Sequence, residues 1–176
     1  MASITGGGKL AGAIARIASR ATTATSVDIG FLEDATYPDG TRVAMVAAIH
    51  EYGAPRAGIP PRSFFRTMIA KKSPEWPRAI SDLLAANDFN AARTLDQTGS
   101  AIAGQLQQSI VETNDPPLSP VTLMVRKIIG PNGKATFDDV LEARRRIDAG
   151  EQPSGVSTKP LVWTGNLLNS VSYRVR

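Results

Sequence analysis

The chain has 176 residues, 42% of them hydrophobic, 20% charged and 6% aromatic, the composition of an ordinary globular domain able to bury roughly 70% of its unfolded surface. It contains no cysteine, which excludes disulfides, thiolate metal sites, iron–sulfur clusters and cysteine nucleophiles. Its longest uninterrupted apolar run, residues 43–49, is far short of the roughly 20 residues a membrane-spanning helix needs, so a soluble chain with no membrane partner is expected.

In chain order, residues 1–26 carry no acid, are rich in Ser, Thr and Ala, and contain Lys9, Arg16 and Arg20, a composition shared with transit peptides. Leu10, Ile14 and Ile17 nevertheless recur at helical spacing. A flexible tail over 1–8 is therefore expected, followed by an amphipathic helix that turns its apolar stripe to a core. Residues 26–32 alternate Val27, Ile29 and Phe31 with Asp28, Gly30 and Leu32, the period of a half-buried strand. Pro38-Asp39-Gly40 is a turn. The Ala-rich residues 42–52 read as a helix stopped by Gly53, and Pro55, Gly58, Pro60 and Pro61 make residues 53–62 a loop.

Ser63 is placed to cap a helix that opens with Phe64 and Phe65. Further helices are expected over 75–86 and 90–112, the second keeping Leu95, Ile102, Leu106 and Ile110 on one face. Ser119-Pro120 reads as a cap followed by proline at the first helical position, opening a helix to residue 129. Another helix covers 136–149, with Asp138 and Asp139 at its positive end. After a loop over 151–159, a turn of helix at 166–170 leads to a closing strand with Val171, Tyr173 and Val175 on one side. The expected fold is α+β in a single domain over 1–176: a small antiparallel sheet packed against several helices. A helical insertion is expected near 119–150, and a helix-and-loop insertion over 130–158.

The search for chemistry is mostly negative. His50 is the single histidine; His50-Glu51 lacks the second histidine of a zinc protease, and no Gly-x-Ser-x-Gly elbow is present. Gly6-Gly7-Gly8-Lys9 fails the phosphate-loop pattern, because Ser3 and Leu10 stand at the required glycine and hydroxyl positions. Asp138, Asp139 and Glu142 lack the loop of a calcium site. No catalytic residue, cofactor or metal is expected. The net charge of +4 is more informative through its distribution, because three stretches hold only basic charges. These are the N-terminal arm, residues 52–74 with Arg56, Arg62, Arg66, Lys71 and Lys72, and the chain end with Lys159, Arg174 and Arg176. Such clusters suit solvent, DNA or an acidic protein.

Two segments together carry a resemblance. The first holds Ala47-Ala48-Ile49-His50-Glu51-Tyr52-Gly53 and then Ile59-Pro60-Pro61-Arg62-Ser63-Phe64-Phe65-Arg66. The second holds Pro116-Pro117-Leu118-Ser119-Pro120-Val121-Thr122-Leu123 with Lys127, and then Lys159-Pro160-Leu161-Val162-Trp163-Thr164-Gly165-Asn166-Leu167-Leu168-Asn169-Ser170 with the strand beyond. Over about 27–65 and 116–175 the chain resembles the neck, tail-completion and virion-morphogenesis (minor tail) proteins of long-tailed double-stranded DNA phages. In that family a His/Gln-Glu-Phe/Tyr-Gly element precedes Pro-x-Arg-x-Phe, and the chain closes with Pro-Leu-x-x-Thr-Gly-x-Leu-x-x-Ser and a strand. Trp163 stands where the family commonly has Asp, and residues 135–155 look like an insertion.

The resemblance implies a non-enzymatic virion protein at the head-to-tail junction, assembled in the host cytoplasm, in a neck or tail-completion and tail-terminator role. It implies a homo-oligomeric ring, six-fold to match a tail, whose partners are its own copies, the head connector or stopper, the tail tube and the genomic DNA in its lumen. Within that reading, Arg56, Ile59, Arg62, Phe64 and Phe65 are candidates for the subunit interface. Phe64 and Phe65 can anchor either the home core or an adjacent subunit. Arg16, Arg20, Lys71 and Lys72 are candidates for facing DNA. The alternative is a sequence-independent nucleic-acid-binding protein, although no helix-turn-helix or RNA-binding signature accompanies the charge.

Overall fold

The computed structural model describes residues 7–32, 35–131 and 133–176. In chain order they form α1 (Gly7–Ala21), β1 (Val27–Phe31), α2 (Val43–Tyr52), α3 (Phe64–Lys72), α4 (Trp76–Ala86), α5 (Ala91–Glu112), α6 (Pro120–Ile129), α7 (Phe137–Asp148), α8 (Asn166–Asn169) and β2 (Val171–Val175). Single 3-10 turns cover Pro55–Ala57 and Ser73–Glu75. β1 and β2 form a two-stranded antiparallel sheet, so the fold is α+β.

Local chemistry accounts for most boundaries. The Ser119 hydroxyl accepts the Thr122 N–H at 3.1 Å and Pro120 follows it, which starts α6. Thr136 and Asp139 form a reciprocal capping box at α7. The Asp39 carboxylate accepts the Thr41 N–H at 3.0 Å in the predicted turn, and the Gly40 N–H reaches the Tyr37 carbonyl. Gly53 closes α2 at φ 76°, donating its N–H to the Ile49 carbonyl.

The chain divides into two compact units, to both of which α3 and α5 contribute residues. The first comprises residues 1–30, 68–105 and 172–176. Here the antiparallel pairing is visible at its end: Ser26 N–H donates to the Arg176 carbonyl and Arg176 N–H to the Ser26 carbonyl. Helix α5 approaches the sheet at Gly99, where an added Cβ would lie 2.8 Å from Val27 Cγ2 and would also meet the Tyr173 ring. Tyr173 donates its hydroxyl proton to Asp96 at 3.0 Å, and Arg176 pairs with Asp28 at 2.7 Å. Trp76 Nε1 donates to Gln105 at 3.0 Å. Met68, Thr94, Thr98, Ile102 and Ala103 are buried in this unit.

One expectation for this unit is overturned. Helix α1 forms, but Leu10, Ile14 and Ile17 are 64%, 57% and 42% exposed rather than in a core. Only Ala13 of its described side chains is even half-buried. Helical spacing dictates which residues share a face; it says nothing of whether the chain has an element to lay over them. Of the expected tail 1–8, residues 1–6 lie outside the described residues, while Gly7 and Gly8 already belong to α1.

The second unit comprises residues 31–67 and 106–171. Its buried side chains include Val43, Ala47, Phe64, Leu106, Ile110, Leu161, Leu167 and Val171. Phe31 meets Phe64 edge-on at 6.2 Å, and the Ser109 hydroxyl donates to the Phe64 carbonyl at 2.7 Å. Helices α6 and α7 pack on each other through Met124, Val125 and Ala143, joined by Val121, Ile128, Ile129, Val140 and Ile147. The helical segment expected near 119–150 thus has an apolar seam of its own.

Candidate functional site

Two constructions in the second unit draw together residues that are distant in sequence. The first is the N-terminus of α3. Glu51, on the last turn of α2 and 5% exposed, accepts the Phe65 N–H at 2.8 Å and the Arg66 N–H at 3.2 Å. Its Oε1 also accepts from Arg66 Nε at 2.8 Å, and the Arg66 guanidinium lies 4.8 Å from the centre of the Tyr52 ring. Ser63, expected as the cap, instead accepts from Arg66 Nη2 at 2.8 Å. A buried carboxylate is the stronger acceptor for free N–H groups at the positive end of a helix, so Glu51 takes that role. The two halves of the first motif, residues 50–53 and 60–66, are thus joined through one side chain.

The second construction is a cavity of about 570 Å³. Ile59, Leu118, Leu161, Trp163 and Leu167 supply its apolar wall, and Tyr37, His50, Arg62, Ser119, Thr122 and Arg126 its polar atoms. Arg62 and Arg126 are 4% and 8% exposed. Arg62 Nε donates to the Pro116 carbonyl at 2.9 Å and Nη2 to the Pro117 carbonyl at 3.4 Å. Arg126 Nη1 donates to the carbonyls of Ser157 and Lys159, Nη2 donates to that of Pro160 at 3.0 Å, and the guanidinium stacks 4.8 Å from the Trp163 ring centre. The cis Asp115-Pro116 peptide bond lies in the strap that receives Arg62.

Carbonyl oxygens satisfy donors but carry no net charge. Neither guanidinium has a carboxylate within ion-pair distance among the described residues. Burial pulls both guanidinium pKa values down; Asp115 opposes this at Arg62, while Arg62 adds to it at Arg126. Burial, followed by the fields of Arg62 and Arg126, pushes the His50 imidazole below its ordinary range, so it is neutral near pH 7. The Nδ1 of His50 is fully buried and has no hydrogen-bond partner.

The residues singled out from sequence fall in different places. Arg56 is exposed on the 3-10 turn, and Ile59 is half-buried, pairs with Ala54 in a small bridge and lines the cavity. Arg62 is directed to backbone carbonyls of its own chain. Of the two roles open to Phe64, the home core is the observed one: it is 1% exposed. Phe65 is half-buried, edge-on to Phe64 at 6.4 Å. Arg16, Arg20, Lys71 and Lys72 are all exposed. Arg16 and Arg20 border a shallow cleft with Ile17, Asp88 and Phe89, and Arg20 lies 3.8 Å from Asp88; Lys71 and Lys72 end α3 and do not line it.

Sequence reasoning missed Arg126 and the capping role of Glu51. For Arg126 a signal was present, since with Lys127 it stands between the apolar Leu123-Met124-Val125 and Ile128-Ile129 in α6. For Glu51 there was none, because its partners lie 14 and 15 positions away. Comparison with protein-family models, curated proteins and solved structures finds no match to this chain.

Proposed function

We propose that this chain is a non-enzymatic structural protein of the head-to-tail junction of a long-tailed phage, acting by self-association into a ring that joins tail to head connector. The observation that carries the self-association is α1, whose apolar stripe of Leu10, Ile14 and Ile17 is exposed among the described residues. A contiguous apolar helix face in water calls for a partner surface. The motif order supports the phage assignment. Residues 50–53 and 60–66 are tied through Glu51, and Arg62 and Arg126 bind the straps at 116–117 and 157–160, so the elements of the resemblance serve one scaffold.

Solution mass by light scattering across a wide concentration range, with negative-stain imaging, tests this. A closed ring of about six copies supports the junction reading. A monomer at every concentration that also fails to join purified connectors or tails overturns it.

A second reading, sequence-independent nucleic-acid binding, is favoured by the exposed Arg16, Lys71 and Lys72, which have no ion-pair partner among the described residues. Steeply salt-dependent binding of free DNA by the monomer would favour it, because released counterions then drive association.

A further inference from the structure

The cavity of the second unit is lined by two guanidiniums and by no carboxylate among the described residues. Five hydrogen bonds to backbone carbonyls hold the pair, but carbonyls carry no net charge, and Asp115 offsets only Arg62 and from beyond ion-pair distance. That is a costly arrangement for two buried cations unless something negative enters. Arg62 retains capacity for it: Nε and Nη2 are engaged, while Nη1 has no partner among the described residues. Nη1 is also absent from the fully buried orphan atoms, so it remains reachable. The volume, about 570 Å³, is that of a small-molecule or side-chain pocket. Ile59, Leu118 and Trp163 give its lining an apolar part.

We propose that this cavity is a binding site for an organic carboxylate, whose charge is received at Arg62 with the field of Arg126 behind it and whose apolar body lies against Ile59, Leu118 and Trp163. A single negative charge suits the site better than a phosphate dianion. Both guanidiniums already donate to carbonyls, and the wall gives little to replace the hydration of a second charge. The carboxylate can come from a small metabolite or from an acidic side chain of a docking polypeptide. The site does not depend on ring formation and stands whether or not the chain assembles.

The test is NMR titration of the isotope-labelled full chain, observing the His50 imidazole and the Trp163 indole. Four probes are compared: hexanoate, its uncharged isostere hexanamide, inorganic phosphate, and a capped tripeptide with one central glutamate. Hexanoate is expected to saturate, to bind at least about tenfold more tightly than hexanamide, and to raise the His50 pKa, because an anion offsets the field of the two arginines. The tripeptide binding more tightly than hexanoate assigns a polypeptide source, and the reverse assigns a metabolite. Equal binding of hexanamide, phosphate as tight as hexanoate, or unmoved His50 and Trp163 signals up to about 50 mM overturns the proposal. Arg62→Met is expected to weaken hexanoate at least about tenfold. Should that variant not fold, Leu118→Trp fills the cavity and leaves both guanidiniums in place. Undiminished binding by folded Leu118→Trp also overturns the proposal.

Discussion

Glu51 and Arg66 meet at 2.8 Å, and the same carboxylate holds two backbone N–H groups of α3. A lone ion pair with a half-exposed arginine contributes little. The geometry makes Glu51 a helix cap first and an ion-pair partner second, which orders the expected mutational effects.

Glu51→Ala leaves two part-buried N–H groups without their acceptor and is expected to destabilise the chain by about 2–3 kcal/mol. Glu51→Gln keeps an acceptor but loses the charge, and should cost about 1–2 kcal/mol. Arg66→Ala, which leaves the cap in place, should cost about 1 kcal/mol or less. Urea unfolding of the three variants checks the order; Arg66→Ala proving the worst would refute the cap-first account.

Gly53→Ala should be severe. At φ 76° an L side chain is strained, and an added Cβ would lie 2.8 Å from the Pro61 nitrogen and 2.9 Å from the Ile59 oxygen, both of them backbone. A loss of about 2–3 kcal/mol is expected, read from the urea midpoint. Gly58→Ala makes the control, because nothing lies within 4 Å of its Cβ position even though φ is 67°.

His50 sets a pH dependence. Its folded pKa is depressed below the ordinary 6.5, so the unfolded chain takes up the proton first as pH falls. Its stabilising contribution is present above about pH 6.5 and lost as pH drops through and below that value toward the folded pKa. Asp39, Asp139, Glu142 and Glu151 are also depressed, from ordinary values of 3.8 and 4.5, and lose their contributions only at lower pH. Stability measured between about pH 7 and 5 should therefore fall in the native chain and stay nearly flat in His50→Gln. Parallel curves for the two would show that another group titrates.

Helix α1 separates folding from assembly. Ile14→Ser and Ile17→Ser replace exposed side chains and should alter the unfolding free energy by no more than about 0.5 kcal/mol. If the stripe is buried between copies, the same changes should weaken self-association at least about tenfold. Light scattering and urea unfolding on the same samples check both halves. Lost stability with unchanged mass would place the stripe in the chain's own core.

The sequence by itself determined the helices and strands, because their signals are local. Ser119-Pro120, the Thr136 to Asp139 box and Gly53 act within four residues of where they stand, and the alternation of Val27, Ile29 and Phe31 requires only the pleat of one strand. It also carried the motif order from which the phage reading is proposed. Tertiary structure alone decided which faces are covered, what caps α3, and where the charges go. The α1 stripe has the spacing of a buried face yet is left exposed among the described residues, while Arg62, from the first motif, and Arg126, from a helix position outside the quoted motifs, enter one cavity. Those outcomes depend on contacts made across tens of residues, where each side chain takes the best acceptor the folded chain brings within reach, and a linear pattern does not encode that distance.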